Sequence, residues 1–356
     1  MKQLINEANR CLLCADAPCT KACPKNLDPE RALRAVRFDN VRNANQWLTD
    51  DCIDCDAPCE KACIHPDYPI HIHDVAAGVN TSDNKAAKID KKPSLEIDFC
   101  GIHCENPFFL ASSAICTNYE MVTRAFEMGW GGVVFKTIST IDIKEVSPRF
   151  DTIGKQGMPF NGFRNMEQVS EHRLEEDFAV MARLKKDYPG KVIVASIMGS
   201  DEQEWETLAR MSEESGADMV ECNFSCPQMK ASRMGSDVGQ NPELVRFYTM
   251  ATKRGTRLPV IAKMTPNITH IEEPSFAAKI GGADAIAAIN TIKSITLKHR
   301  SEVSGKKTIS GYSGKAVKPI AQRCILDIAK APETKDMPLS GIGGIETWKD
   351  AIEYIR

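Results

Sequence analysis

The sequence predicts an α/β protein: a (β/α)8-type barrel with its last unit missing, preceded by a small cysteine-rich domain. Three observations carry that expectation. From residue 95 onward, short apolar runs alternate with amphipathic helical stretches. The segments that follow the second, fourth and sixth runs are long, about 30, 16 and 27 residues, whereas those leading into the runs are short. Eight of the 14 cysteines fall within the first 63 residues, in two groups of four.

The expected strands are PFFLAS (107–112), GVVFKT (132–137), VIVASIM (192–198), DMVECNFS (218–225), PVIAKMT (259–265), DAIAAIN (284–290) and PLSGIGG (338–344). Helical stretches follow near 118–128, 168–187, 202–215, 242–254, 272–280, 318–330 and 346–355. Strands that are apolar on both faces, each followed by a helix, indicate a parallel sheet. Seven units in line favour a barrel over an open doubly wound sheet. The long segments then lie on the side where barrel enzymes carry their active sites, so the residues at strand C-termini are the ones to weigh.

Residues 80–94, NTSDNKAAKIDKKPS, are small, charged or breaking residues with one large apolar side chain, a composition suited to a linker. The expected organisation is therefore a domain over 1–79, a linker over 80–94 and a C-terminally truncated barrel over 95–356. The net charge is −3 with both signs interspersed, so no basic stripe for nucleic acid stands out. No apolar run is long enough to span a bilayer, and MKQLINEANRC lacks the apolar core of a signal peptide. Abundant cysteine without a secretory signal points to a reducing, cytoplasmic compartment and to metal or catalysis in place of disulfides.

The two cysteine groups read Cys11-x2-Cys14-x4-Cys19-x3-Cys23-Pro and Cys52-x2-Cys55-x3-Cys59-x3-Cys63, and each contains Ala-Pro-Cys before Lys-Ala-Cys. Eight thiolates in two tight groups of four suit two [4Fe-4S] clusters, and Cys-Pro after the fourth position is a ferredoxin feature. In two-cluster ferredoxins the fourth cysteine of a run ligates the other cluster, so Cys23 and Cys63 are expected to cross. Two structural zinc sites are the competing reading. His71 and His73, in PIHIHD, read as solvated residues.

In the barrel, Lys136 and Lys263 end strands two and five after apolar residues. A lysine buried there needs an anionic partner; the alternative is a side chain just clear of the rim. The glycine-rich LSGIGGIE (339–346) would offer backbone N–H groups and a helix N-terminus to a phosphate. Strand four ends Asn223-Phe-Ser225-Cys226-Pro and strand six ends Asn290-Thr291. Asparagines pair a donor with an acceptor and can read an amide edge. Cys226 precedes a long loop with Gly235 and Gly239 as hinges, and a thiol can donate a proton; Cys222, inside the strand, reads as packing.

The segments NPFFLASSAICTNYEM, WGGVVFKTIST, GADMVECNFSCPQM, GSDVGQNPELV, LPVIAKMTPN, GADAIAAINTIKSIT, ISGYSGKAVKPIA and SGIGGIETW together resemble the flavin-bearing subunit of bacterial NAD-dependent dihydropyrimidine dehydrogenases. That group belongs to an FMN-barrel family which includes the dihydroorotate dehydrogenases. The resemblance covers essentially all of 95–356, while residues 1–79 resemble the α-helical two-cluster iron–sulfur domain of long dihydropyrimidine dehydrogenases and of glutamate synthase small subunits. It implies FMN contacts at Ser112, Lys136, Thr137, Lys263, Gly314, Gly343 and Gly344, and pyrimidine contacts at Asn165, Glu167, Asn223, Ser225, Asn290 and Thr291. It implies Cys226 as general acid in an oxidoreductase acting on CH–CH groups, reducing uracil or thymine or running the reverse reaction. It implies electrons from NAD(P)H through a partner subunit carrying FAD, in an oligomer without nucleic-acid or membrane partners.

Relatives place a Gln or Glu among the ligands of the second cluster; Ala76 stands near that position here, and Cys52 is the expected replacement. The flavin subunits also continue into a C-terminal ferredoxin domain. This sequence stops at Tyr354-Ile-Arg356 in the seventh helix, so an open barrel edge and weakened flavin binding are expected. Dihydroorotate oxidation and a non-catalytic electron-transfer subunit are the alternatives.

Overall fold

The run Val192-Ile193-Val194-Ala195-Ser196-Ile197 is buried at every position, as a strand covered on both faces requires. The computed structural model describes residues 2–81, 93–141, 150–153, 161–226, 234–295, 302–303, 306–307 and 309–355. These fall into two compact units: one holds the described residues of 1–92 together with 345–355, the other those of 93–154 and 160–344.

In the larger unit seven strands pair in parallel: β1 (Phe109–Leu110), β2 (Gly132–Val134), β3 (Val192–Ile197), β4 (Met219–Asn223), β5 (Val260–Lys263), β6 (Ala285–Ala288) and β7 (Leu339–Gly341). Their order in the sheet is their order in the chain, the curled arrangement of an α/β barrel. A helix separates each strand from the next: Tyr119–Glu127, Leu174–Asp187, Glu202–Glu214, Pro242–Gly255, Glu272–Ile280 and Lys318–Lys330. Asn118, Asp201 and Asn241 cap three of them, accepting from the backbone N–H groups of Met121, Glu204, and Glu243 with Leu244. The sequence reading of this architecture is borne out.

The inner face is filled by Val134, Val194, Met219, Ile261, Ala285 and Ala287. An antiparallel hairpin, Ile97–Phe99 with Ile102–Cys104, packs Phe99, Ile102 and Cys104 onto that layer. Cys100 in its turn reaches the Asp284 carbonyl at the start of β6, so the hairpin covers the N-terminal ends of the strands.

At the opposite ends the structure departs from the sequence reading. The excursions after β2 and β6 are not plain loops. They contribute strands Phe150–Ile153, Gly162–Asn165, Ile292–Ser294 and Ser310–Ser313, which join into a four-stranded antiparallel sheet. Its register pairs Tyr312 with both Arg164 and Ile292. Gly162 and Gly311 allow these close approaches: a Cβ at Gly162 would fall 2.3 Å from the Tyr312 hydroxyl, and one at Gly311 would fall 2.1 Å from Thr291 Oγ1.

Between β3 and β4 the helix Glu202–Glu214 buries Trp205, whose ring lies 5.2 Å from Phe224 and 5.7 Å from Tyr248. Trp205→Ala is expected to cost about 3–5 kcal/mol of stability, read as a lower denaturation midpoint at unchanged slope.

The smaller unit is helical: Lys2–Asn9, Pro18–Lys21, Pro29–Arg37, Val41–Ala44, Pro58–Lys61 and Ile72–Val79, with a 3-10 turn at Asp50–Cys52. Its core is Ala8, Leu33, Val36, Leu48, Ile70, Ile72, Val75 and Val79. The internal sequence echo becomes a structural one. Pro18 and Pro58 each open a one-turn helix, and Ala22 and Ala62 close it by donating to the carbonyls of Pro18 and Pro58. A last helix, Trp348–Ile355, belongs to this unit, with Trp348 Nε1 donating to the Asp39 carbonyl at 3.2 Å. Among the described residues no helix is long and apolar enough to cross a membrane.

Candidate active site and cysteine cavities

The alternation of a strand decides what stands at the top of the barrel. On the inner face, Val194, Met219 and Ile261 are followed one period on by Ser196, Glu221 and Lys263, and Glu221 in turn by Asn223. Register sets Ser196 beside Glu221 and Asn223 beside Lys263. An apolar layer thus gives way to a polar one at the C-terminal ends of the strands.

That polar layer is buried: Ser196 and Ser225 are fully covered, and Glu221, Thr137, Lys263, Lys136 and Asn223 are 1 %, 2 %, 4 %, 6 % and 8 % exposed. Lys136 Nζ donates to Glu167 Oε2 at 3.1 Å. Lys263 Nζ stands 3.8 Å from Glu221 Oε2, an ion pair beyond hydrogen-bond distance. Each buried lysine therefore has a carboxylate of the chain itself as its anion, as burial of a charge requires. These pairs were not visible in the sequence.

Hydrogen bonds link Ser112, Thr137, Asn223, Ser225, Asn290 and Thr291 into a network through Ser196 and Glu221, and Asn165, Glu167 and Lys136 into a second group. Ser196 Oγ donates to Glu221 Oε1 at 3.0 Å and lies 2.9 Å from Thr137 Oγ1. Asn223 Nδ2 donates to Thr137 Oγ1 at 2.8 Å, and Ser112 Oγ stands 3.4 Å from the same hydroxyl. Asn223 Oδ1 accepts from the Ser225 N–H at 3.1 Å and from its hydroxyl at 2.8 Å. Asn290 Nδ2 donates to Ser225 Oγ at 2.7 Å, and Asn290 Oδ1 accepts from Thr291 N–H. Asn165 Oδ1 accepts from Glu167 N–H at 2.7 Å, placing both at the end of the antiparallel sheet.

Cys226 directly follows this network and is 6 % exposed. Its carbonyl accepts from Ser236 N–H at 3.0 Å, beside Gly235, whose φ of 57° turns the chain into the helix Ser236–Gly239. Residues 227–233 of the long loop lie outside the described residues. Cys222 is fully buried, its Sγ donating to Thr252 Oγ1, and burial pushes its thiol up to about 12; a neutral, enclosed thiol of this kind packs.

Gly314, Gly343 and Gly344 have φ of 102°, 136° and 69°. A Cβ at Gly344 would fall 2.8 Å from Lys318 Cβ, 3.0 Å from Lys318 N and 3.1 Å from the Gly314 carbonyl. The glycines therefore gather at the N-terminus of the helix Lys318–Lys330. The sequence reading had tied them to the helix after β7, which begins only at Trp348. A helix N-terminus approached by glycines fits the phosphate of a flavin such as FMN.

The eight N-terminal cysteines line two concavities. Cys11, Cys14, Cys19 and Cys63 line one of about 360 Å³, and Cys23, Cys52, Cys55 and Cys59 line another of about 390 Å³. Among the described residues no three His, Cys, Asp or Glu side chains converge on a single-ion position. Burial pushes the free thiols of Cys19 and Cys52 up to about 11 and that of Cys59 up to about 12. Four thiols around each hollow are a donor set that fits an iron–sulfur cluster. His73 lines the second concavity, and its Nε2 is 2.7 Å from the Ile53 carbonyl.

Fold and site together define a class, an iron–sulfur module joined to an α/β barrel whose buried polar layer carries lysines, amides and a thiol. Residues 94–356 match the family described as dihydroorotate dehydrogenase, and residues 1–51 match that described as dihydropyrimidine dehydrogenase domain II, 4Fe-4S cluster. The chain belongs to the dihydroorotate dehydrogenase family. It is 59 % identical over 267 residues to the NAD-dependent dihydropyrimidine dehydrogenase subunit PreA of Escherichia coli K12, covering 73 % of this chain and 65 % of that protein. It is 39 % identical over 284 residues to the chloroplastic dihydropyrimidine dehydrogenase (NADP(+)) of Arabidopsis thaliana, covering 75 % and 67 %. The chain thus spans about two thirds of the length of these relatives. The Eimeria tenella dihydroorotate dehydrogenase in complex with ferulenol shares the fold, with a TM-score of 0.62, 20 % identity and coverage of 76 % and 78 %.

Proposed function

We propose that the chain is the pyrimidine-handling part of a dihydropyrimidine dehydrogenase, interconverting uracil or thymine and the 5,6-dihydro base. The observation that carries this reading is the buried array Asn223–Ser225–Cys226 with Asn290, two amides and a thiol at the ends of β4 and β6. In this reading the amides of Asn223 and Asn290 hold the base edge, with Asn165, Glu167, Ser225 and Thr291 around them, and Cys226 Sγ gives its proton to C5. Holding the ring in one orientation beside a proton donor is the main contribution available to side chains.

Lys136, Lys263, Ser112 and Thr137 would hold the isoalloxazine ring of FMN, and Gly314, Gly343 and Gly344 its phosphate. When bound, FMN supplies the hydride chemistry at C6. Cys11, Cys14, Cys19 and Cys63 would hold one [4Fe-4S] cluster and Cys23, Cys52, Cys55 and Cys59 the second, as an electron route from a partner subunit carrying FAD and NAD(P)H. The domain limits that go with this reading are 1–79, 80–94 and 95–356. The Escherichia coli relative, a subunit by its name, supports the partner.

The family name favours a second reading, dihydroorotate oxidation. The likeness to the Escherichia coli dihydropyrimidine dehydrogenase subunit, at 59 % identity, favours the first reading over it. The test is anaerobic purification with iron, sulfide and flavin analysis, followed by uracil and dihydroorotate assays with an artificial electron carrier. Uracil- or dihydrouracil-dependent turnover with bound FMN is expected. Turnover of dihydroorotate alone would overturn the choice of substrate, and iron without any FMN would leave an electron-transfer role.

A further inference from the structure

Glu221 has no part in the reading above, yet it is almost fully buried at the centre of the polar layer. We propose that Glu221 is a positioning residue whose carboxylate fixes the donor and acceptor sense of the Ser196 and Thr137 hydroxyls, and so presents Asn223 Nδ2 with an acceptor that keeps this amide seated to receive a carbonyl oxygen of the ligand. The inference deepens the proposed function and rests on it for the identity of that ligand.

The argument is one of counting hydrogens. As a carboxylate facing the Lys263 ammonium at 3.8 Å, Glu221 can only accept. The single hydroxyl hydrogen of Ser196 is therefore spent on Glu221 Oε1, 3.0 Å away. Thr137 must then donate to Ser196 Oγ across 2.9 Å, which leaves Thr137 Oγ1 as an acceptor. Only the Nδ2 side of Asn223 can meet it, at 2.8 Å, and Ser112 must be a donor to the same oxygen.

With Nδ2 fixed, Asn223 Oδ1 faces the Ser225 N–H and hydroxyl, whose hydrogen it takes. Ser225 Oγ is left to accept, and it accepts from Asn290 Nδ2 at 2.7 Å. The Ser225 and Thr291 N–H groups, which can only donate, hold the two amides in that same sense from the far end, so the hydroxyls set by Glu221 meet amides that already match them. Among the described residues each amide keeps one N–H uncommitted. A neutral residue at 221 would let the Ser196 and Thr137 hydroxyls turn the other way and set a donor against Asn223 Nδ2; the carboxylate forbids it.

The test swaps the sense of the relay. Asn223→Asp places an acceptor opposite Thr137 while Glu221 still demands a donor at the other end, so one hydroxyl position is left with two acceptors facing each other. A marked fall in the thermal unfolding midpoint, or failure to fold, is expected. Adding Glu221→Gln supplies a donor at the root and lets every hydroxyl turn round, so the double variant should recover most of that loss. Additive losses, or a double variant that also fails to fold, would overturn the relay, whatever the protein binds.

Ser196→Ala then reads its functional side in the FMN-loaded protein. The KM for uracil should rise about five- to tenfold at nearly constant kcat, the worth of one misdirected hydrogen bond. A KM that stays constant would overturn the positioning role. A relay that passes the midpoint test in a protein that neither binds nor turns over uracil would instead refute the assignment of the substrate.

Discussion

Cys226→Ala is expected to lower uracil turnover by about 10²–10⁴-fold, the usual contribution of one positioned proton donor. Iron, sulfide and FMN content should stay at wild-type values, because the eight cluster thiols lie in the other compact unit and the barrel residues proposed for FMN are untouched. The affinity for uracil should change little. Binding in this reading is carried by Asn223 and Asn290, whose orientations are fixed by Thr137 and Ser225 and not by the thiol. The expected signature is therefore a collapse of kcat at nearly constant dissociation constant. Equal losses of kcat and of binding would make Cys226 a packing residue like Cys222, and lost clusters would refute the assignment outright.

The parts legible in the sequence share a physical cause. Apolar β-branched runs such as Val192–Ile197 announce strands buried on both faces, and the helices between them start at Asn118, Asp201 and Asn241, caps that local sequence displays. The candidate site was legible as far as strand ends reveal it: Lys136, Asn223, Cys226 and Lys263 stand where a run of apolar residues stops.

What stayed hidden depends on partners distant in the chain. The antiparallel sheet pairs Phe163 with Ser313 and Lys293 with Gly311, and its strands are too short to show alternation of their own. Glu221 was hidden for a related reason. An acidic residue in a buried strand reads as an interruption until register puts Ser196 beside it and Lys263 across from its neighbour Asn223. Likewise, the glycines at 343 and 344 read as belonging to the following helix, whereas Gly344 touches the start of Lys318–Lys330.

The second large effect concerns the crossing of the cysteine runs. Sequence order groups Cys11, Cys14, Cys19 and Cys23, but the concavities group Cys63 with the first three and Cys23 with Cys52, Cys55 and Cys59. The crossing follows from the two one-turn helices. Each carries one cysteine inside it, Cys19 or Cys59, and another just past its closing alanine, Cys23 or Cys63, and the two cysteines of each pair line different hollows. Paired substitutions separate the two groupings. Cys19→Ser with Cys63→Ser removes two thiolates from the same hollow, so about half of the iron and sulfide should remain. Cys19→Ser with Cys23→Ser takes one from each hollow, so both clusters should be weakened and the iron content should fall well below half. Sequential ligation demands the reverse ranking, because Cys19 and Cys23 would then share a site and Cys19 and Cys63 would not. Anaerobic iron and sulfide analysis of the two variants, beside the wild-type protein, decides between them. Four zinc-binding thiolates per hollow would instead return zinc and no acid-labile sulfide.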